Sequence, residues 1–127
     1  MKRTVMLTIA SLLSILFLTL HVTDDIVRGM DKARPANLIA LLVLAFWMYG
    51  LLVLPQRRWW YVITLIGGIF AAGMPAIHLR GTGITNIAKS SGGHFFLWTL
   101  FVLGVLGGFC IIASVRGLVN PEWGQSK

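Results

Sequence analysis

Residues Thr4–Val22 read TVMLTIASLLSILFLTLHV, a run without one Asp, Glu, Lys or Arg. Wound as an α-helix at about 1.5 Å per residue, it reaches across most of a hydrocarbon core about 30 Å thick. Three further runs repeat the pattern, Leu38–Leu54, Tyr61–Ile77 and Phe95–Val115, and none of them carries a charged side chain. None alternates apolar and polar residues as a membrane barrel strand does. Backbone amides cannot stay unpaired in lipid, so each run is expected to be a helix. With short connections the four form one domain over residues 1–127. The expected fold is an all-α, antiparallel, up-down-up-down four-helix transmembrane bundle.

The composition agrees. The chain is 57% hydrophobic and 12% charged, where a soluble domain carries roughly 25% charged residues. Its net charge of +7, from 11 Lys and Arg against 4 acids, gathers at the ends of the runs. Charge so placed meets anionic lipid headgroups, and membrane lipids are the expected partners. Nucleic acid is not, because no exposed element interleaves basic and aromatic residues. Cys110 is the single cysteine, so internal disulfides and CxxC chemistry are excluded. Met1-Lys2-Arg3 before an apolar run resembles a signal peptide. The run exceeds a usual h-region, and no small-x-small site precedes Asp24 and Asp25, so a retained first helix is expected.

An alternating path through the bilayer gathers the polar chemistry at one face. His21 closes the first run, His78 follows the third and His94 precedes the fourth; Asp24, Asp25 and Asp31 fill the first connection. His21, Asp25 and Arg28 share one side if the first helix continues beyond the apolar run. Imidazoles with a carboxylate suit a transition metal, zinc or copper. The candidate ligands are His21, Asp25, His78 and His94, with Asp24, Arg28 and Arg80 completing the polar cluster. A haem between facing histidines is the narrower alternative, less expected because these residues sit at helix ends.

Small residues mark where helices approach. Gly67 with Ala71, Gly68 with Ala72, and Gly104 with Gly108 are small-xxx-small pairs that allow close backbone contact in lipid. Packing within the chain is favoured over a dimer interface, although a homo-oligomer or a larger membrane complex stays open. The glycines between His78 and His94 do not make a nucleotide loop: no Gly-Lys-Ser/Thr follows, and Asn86 takes the place of the third glycine. No GxSxG marks a hydrolase. Lys2, Arg3, Arg57, Arg58, Arg116 and Lys127 fall on one side, and Arg28, Lys32, Arg34, Arg80 and Lys89 on the other. Together with the acidic first loop, this places both termini in the cytoplasm of a bacterial-type inner membrane.

Three functions fit. The leading one is a small non-enzymatic membrane protein, an oligomer or accessory subunit, whose His/Asp/Arg end binds a metal ion or partner. The second is an interfacial enzyme acting on a lipid or isoprenoid. The third is an oligomeric channel or carrier lined by Thr8, Ser11 and Ser14 of the first helix. Carriers usually hold ionisable groups in mid-membrane, and these four runs hold no carboxylate or ammonium there.

Overall fold

A computed structural model describes residues 2–27, 35–55, 57–79, 89 and 92–120. Four helices account for nearly all of them: α1 Lys2–Val27, α2 Pro35–Val53, α3 Arg58–Leu79 and α4 Gly93–Val119. Each extends beyond its apolar run at one or both ends, because polar residues continue a helical hydrogen-bond ladder as well as apolar ones do. Pro35 starts α2, where a missing N–H costs nothing. Gly92 precedes α4 with φ 80°, a backbone that glycine adopts freely; its carbonyl accepts the amides of Phe95 at 3.0 Å and Phe96 at 3.3 Å.

Three of the helices, α1, α3 and α4, are long and apolar enough to cross a membrane, and α2 contributes a shorter apolar stretch, Ile39–Val53. Their outer faces carry large apolar side chains. Leu42 is 68% exposed, Phe101 69% and Ile112 56%. A continuous surface of this kind is suited to lipid rather than to water.

The inner faces have a different chemistry and a regular spacing. Along α1 one row of buried positions runs Thr4, Leu7, Ser11, Ser14, Leu18 and His21, with Ala10 and Ile15 buried beside it, and Asp25 extends the row. Along α3 a row runs Trp60, Thr64, Gly67, Ala71 and Met74, with half-buried His78 next and Tyr61, Ile63 and Gly68 buried beside it. Along α4 a row runs Gly93, Phe96, Leu100, Leu103, Gly107, Cys110, Ser114 and Gly117, with Thr99 and Ala113 buried beside it. Steps of three and four alternate in each row, the seam spacing of packed helices. Small and hydroxyl side chains line this seam, as expected where lipid supplies no hydrophobic drive and close contact must hold helices together.

The most extensive contact joins α3 to α4, followed by α1 to α4, with α2 resting on α3 and α1. The small pairs of α3 serve two different neighbours. A Cβ on Gly67 would collide with the Trp47 ring of α2, whereas one on Gly68 would stand 3.0 Å from Cys110 Cβ and 3.1 Å from the Gly107 carbonyl of α4. On α4 the tightest approach to neighbouring backbone is at Gly107, where a Cβ would lie 2.5 Å from the Ala72 amide nitrogen and 2.8 Å from the Gly68 carbonyl; Gly117 is closed instead by the Tyr61 ring. Gly104 approaches Pro75, with 3.3 Å from a built Cβ to the ring. Gly108 has nothing within 4 Å. The α3 contact therefore runs through Gly104 and Gly107, spaced by three, rather than through Gly104 and Gly108. Gly108 is one residue, about 100° of helix rotation, from Gly107.

Gly107→Ala should lower the stability of the purified protein in detergent by about 1–3 kcal/mol, because the methyl meets backbone that cannot move aside cheaply. Gly108→Ala should instead gain up to about 1 kcal/mol from helix propensity alone. Thermal or denaturant unfolding of both variants tests the pair, and equal losses would place the α3–α4 contact elsewhere.

Candidate metal site

His21 is the last fully buried residue of the α1 seam, and Asp25 follows it by one turn. His78 is the penultimate residue of α3. The packing brings these three together. Their side chains are 1% exposed for His21, 15% for Asp25 and 20% for His78. The two imidazoles meet edge to face with centroids 4.9 Å apart, and Phe96 of α4 lies against both, 4.6 Å from His21 and 5.5 Å from His78.

Hydrogen bonds assign the ring nitrogens. The Thr99 hydroxyl donates its one hydrogen to the Phe96 carbonyl at 2.7 Å. Its oxygen therefore accepts at 3.1 Å from His21, which places the imidazole hydrogen on Nδ1. His78 Nδ1 stands 2.9 Å from the Met74 carbonyl; a carbonyl only accepts, so this nitrogen too carries the hydrogen. Both rings turn Nε2 toward the Asp25 carboxylate. Oδ2 of Asp25 is 3.3 Å from His78 Nε2 and 3.9 Å from His21 Nε2. His21 Nε2 and Asp25 Oδ1 are buried without a hydrogen-bond partner.

His21 Nε2 and Asp25 Oδ1 are left unserved, His78 Nε2 stands against Asp25 Oδ2, and the three ligand atoms all fall within 4.8 Å of one another. A proton on either imidazole would serve one contact, whereas a metal ion would serve all three. A tetrahedral ion with bonds near 2.0–2.1 Å separates its ligands by about 3.4 Å. The Asp25–His78 distance already matches, the His21–Asp25 distance needs to close by about half an ångström, and the two imidazole nitrogens, within 4.8 Å of each other, need to close further. Imidazole ligands usually have their second nitrogen tied to a fixed acceptor, and Thr99 and the Met74 carbonyl occupy that position here. The group His21, Asp25 and His78 could hold a metal ion.

The remaining cluster residues are not among the three converging ligands. Asp24 is half-buried beside Asp25. His94 is exposed in the first turn of α4, one position from the seam residue Gly93, and is not among the converging ligand atoms. Arg28 and Arg80 fall outside the described residues. Thr99 and Phe96 belong to the site but carry no metal-ligand signature in sequence; only their seam spacing from Gly93 points to them. The hydroxyls of α1 serve the seam. Ser11 and Ser14 are fully buried with Oγ 3.6 Å and 3.9 Å from Cys110 Sγ. Ser14 and Thr8 also donate to the carbonyls of Ala10 at 2.8 Å and Thr4 at 2.9 Å. Edge contact between the two imidazoles leaves no gap for the plane of a haem.

The chain matches no family model, and no curated protein or solved structure is significantly similar to it.

Thr99→Val should remove the acceptor that fixes His21. Imidazole ¹⁵N shifts of the metal-free protein at pH 8 should report the Nδ1–H tautomer for His21 in the parent chain and a mixture of tautomers in the variant. An unchanged tautomer in Thr99→Val would show that something other than this hydroxyl orients the ring.

Proposed function

We propose that the chain is an integral membrane protein of four antiparallel spans that binds a divalent transition-metal ion at one membrane face. The ligands are Nε2 of His21, Oδ2 of Asp25 and Nε2 of His78. The observation that carries this is the convergence of two imidazole Nε2 atoms and a carboxylate oxygen within 4.8 Å, each Nδ1 being held by Thr99 or the Met74 carbonyl. Zn²⁺ suits two nitrogens and one oxygen in a compact, three-ligand arrangement, and Cu²⁺ is the next fit. The fourth position is left for water or a partner's donor.

Several contacts support the antiparallel path. Gly50 faces Ile63 and Gly67 faces Trp47, so positions rise along α3 as they fall along α2. Tyr61, Gly68 and Pro75 meet Gly117, Gly107 and Gly104 in the same descending order on α4. Ser14 meets Cys110 where His21 meets Thr99. On this path the ligands share one face, while Arg3, Arg57, Arg58 and Arg116 lie toward the other, the cytoplasmic side for both termini.

Zinc titration of the full chain in detergent, read by calorimetry and by elemental analysis after gel filtration, should give one ion per chain. His21→Ala, Asp25→Ala and His78→Ala should each weaken binding by roughly 100-fold or more, and His94→Ala by less than about twofold, since lost supporting contacts alone cost 10–100-fold. Protons compete with the ion for the imidazole nitrogens, so affinity should fall as the pH is lowered. Stoichiometric zinc that persists in His21→Ala and His78→Ala would overturn the assignment.

A further inference from the structure

Between α2 and α3 there is a cavity of about 380 Å³ whose walls include Leu42, Phe46 and Trp47 of α2 and Ile63, Ile66 and Gly67 of α3. Leu42, Phe46 and Ile66 are exposed, so the cavity opens sideways onto the lipid. The two helices are clamped beside it. A Cβ on Gly50 would strike Ile63, and one on Gly67 would strike the fused edge of the Trp47 ring. Trp47 is thereby laid against bare backbone, 1% exposed, and its Nε1–H has no acceptor. We infer that this cavity binds one membrane-dissolved quinone, an apolar ring whose carbonyl oxygen accepts the Trp47 Nε1 hydrogen.

Depth selects the occupant. Tryptophan in membrane proteins gathers at the headgroup level, where its N–H stays wet, and a buried indole usually finds an acceptor. Trp47 stands instead near the middle of the apolar stretch Ile39–Val53. Trp60 Nε1 is also unpaired, but Trp60 belongs to the first turn of α3, close to headgroup water, and does not line the cavity. Acyl tails surround α2 at the depth of Trp47 and carry no acceptor, while phospholipid carbonyls stay near the headgroups. Water needs about two to four polar partners and would find one N–H among apolar walls. A neutral carbonyl on an apolar body meets both demands: it pairs the hydrogen and keeps the rest of the molecule in an apolar setting. The cavity falls at the small end of ligand pockets, which combine apolar and aromatic walls with a few placed polar groups. A single ring with the first part of its tail suits that size, and Phe46 and Trp47 give the ring aromatic neighbours. The cavity shares no residue with the imidazole cluster, so the inference is independent of the metal reading.

Decyl-substituted benzoquinone, titrated into the full chain in detergent and followed by ¹H–¹⁵N spectra of the indole groups, tests the site. The Trp47 Nε1–H resonance, identified by its loss in W47F, should move downfield and saturate at one quinone per chain. Decylbenzene, which has the ring and tail without a carbonyl, should leave that resonance in place. Calorimetry of the same mixtures gives the affinity. W47F keeps an aromatic wall and should weaken quinone binding by about threefold to tenfold, the share of one neutral hydrogen bond. L42W, at an exposed position, should fill the cavity and abolish the saturable shift, with a thermal unfolding midpoint matching that of the parent chain. Equal affinity for decylbenzene and the quinone would overturn the proposal, as would a quinone affinity unchanged in both W47F and L42W. So would cross-peaks between the Trp47 N–H and water in the protein without quinone, which would show that water already serves as the acceptor.

Discussion

The approach of α3 to α4 through Gly68, Ala72 and Gly107 is the constraint on which the remaining geometry rests. No side chain separates the two backbones there, and a single methyl on Gly107 would stand 2.5 Å from the Ala72 amide nitrogen. Contact this close fixes the axial register, because sliding either helix would drive a larger residue into the gap. That register sets Phe96 and Thr99 of α4 level with His78 of α3. The seam of α1 then docks on α4 with Ser11 and Ser14 at Cys110, which brings His21 to Thr99. A ligand cluster drawn from two helices thus depends on a third that contributes no ligand atom.

Lipid explains why the seam is built as it is. Large apolar side chains gain little by turning inward, so most of them cover the outside, and glycine, alanine, serine and threonine share the contacts with a few large residues such as Trp47, Trp60 and Phe96. The hydroxyls are mostly satisfied within their own helix: Thr8, Ser14, Thr19, Thr23 and Thr64 each donate to the carbonyl four residues earlier. Thr99 differs because it donates three residues back, at 2.7 Å, and also accepts from a ring on α1. It is the hydroxyl whose exchange for an apolar isostere would leave a buried donor on another helix without an acceptor, a loss of about 1–3 kcal/mol.

The four helices were legible because each apolar run is long, uncharged and bounded by charge or proline. The continuation of α1 through Asp25 was legible from the i, i+4 spacing of His21 and Asp25. What the apolar runs concealed was rotation about each axis. Where nearly every position is hydrophobic, apolar character distinguishes no side of the helix, and the inward face must be read from small and polar residues instead. Ser11, Ser14, His21 and Asp25 form such a stripe, and its three-four spacing leads directly to the seam. The boundary of a run says nothing about facing, and so His94, one step from Gly93, stands exposed while Phe96 turns inward. Thr99 was hidden because a lone threonine in an apolar helix ordinarily bonds to its own backbone.

The depth of the imidazole cluster follows from the same physics. A carboxylate in mid-membrane costs several kcal/mol unless it is paired, and Asp25 avoids most of that by standing at the end of the α1 seam, 15% exposed. It is nonetheless enclosed, with Oδ1 buried and the Nε2 atoms of both imidazoles in front of Oδ2. On the proposed assignment a bound ion would join α1 to α3, so binding and helix association would become one equilibrium. An ion present at 100 times its dissociation constant would add about 2.7 kcal/mol to the assembled bundle, comparable to the loss expected from misfitting the α3–α4 glycine contact. The tight small-residue contact sets where the helices meet, and on that assignment the ion would govern whether α1 stays closed against α3.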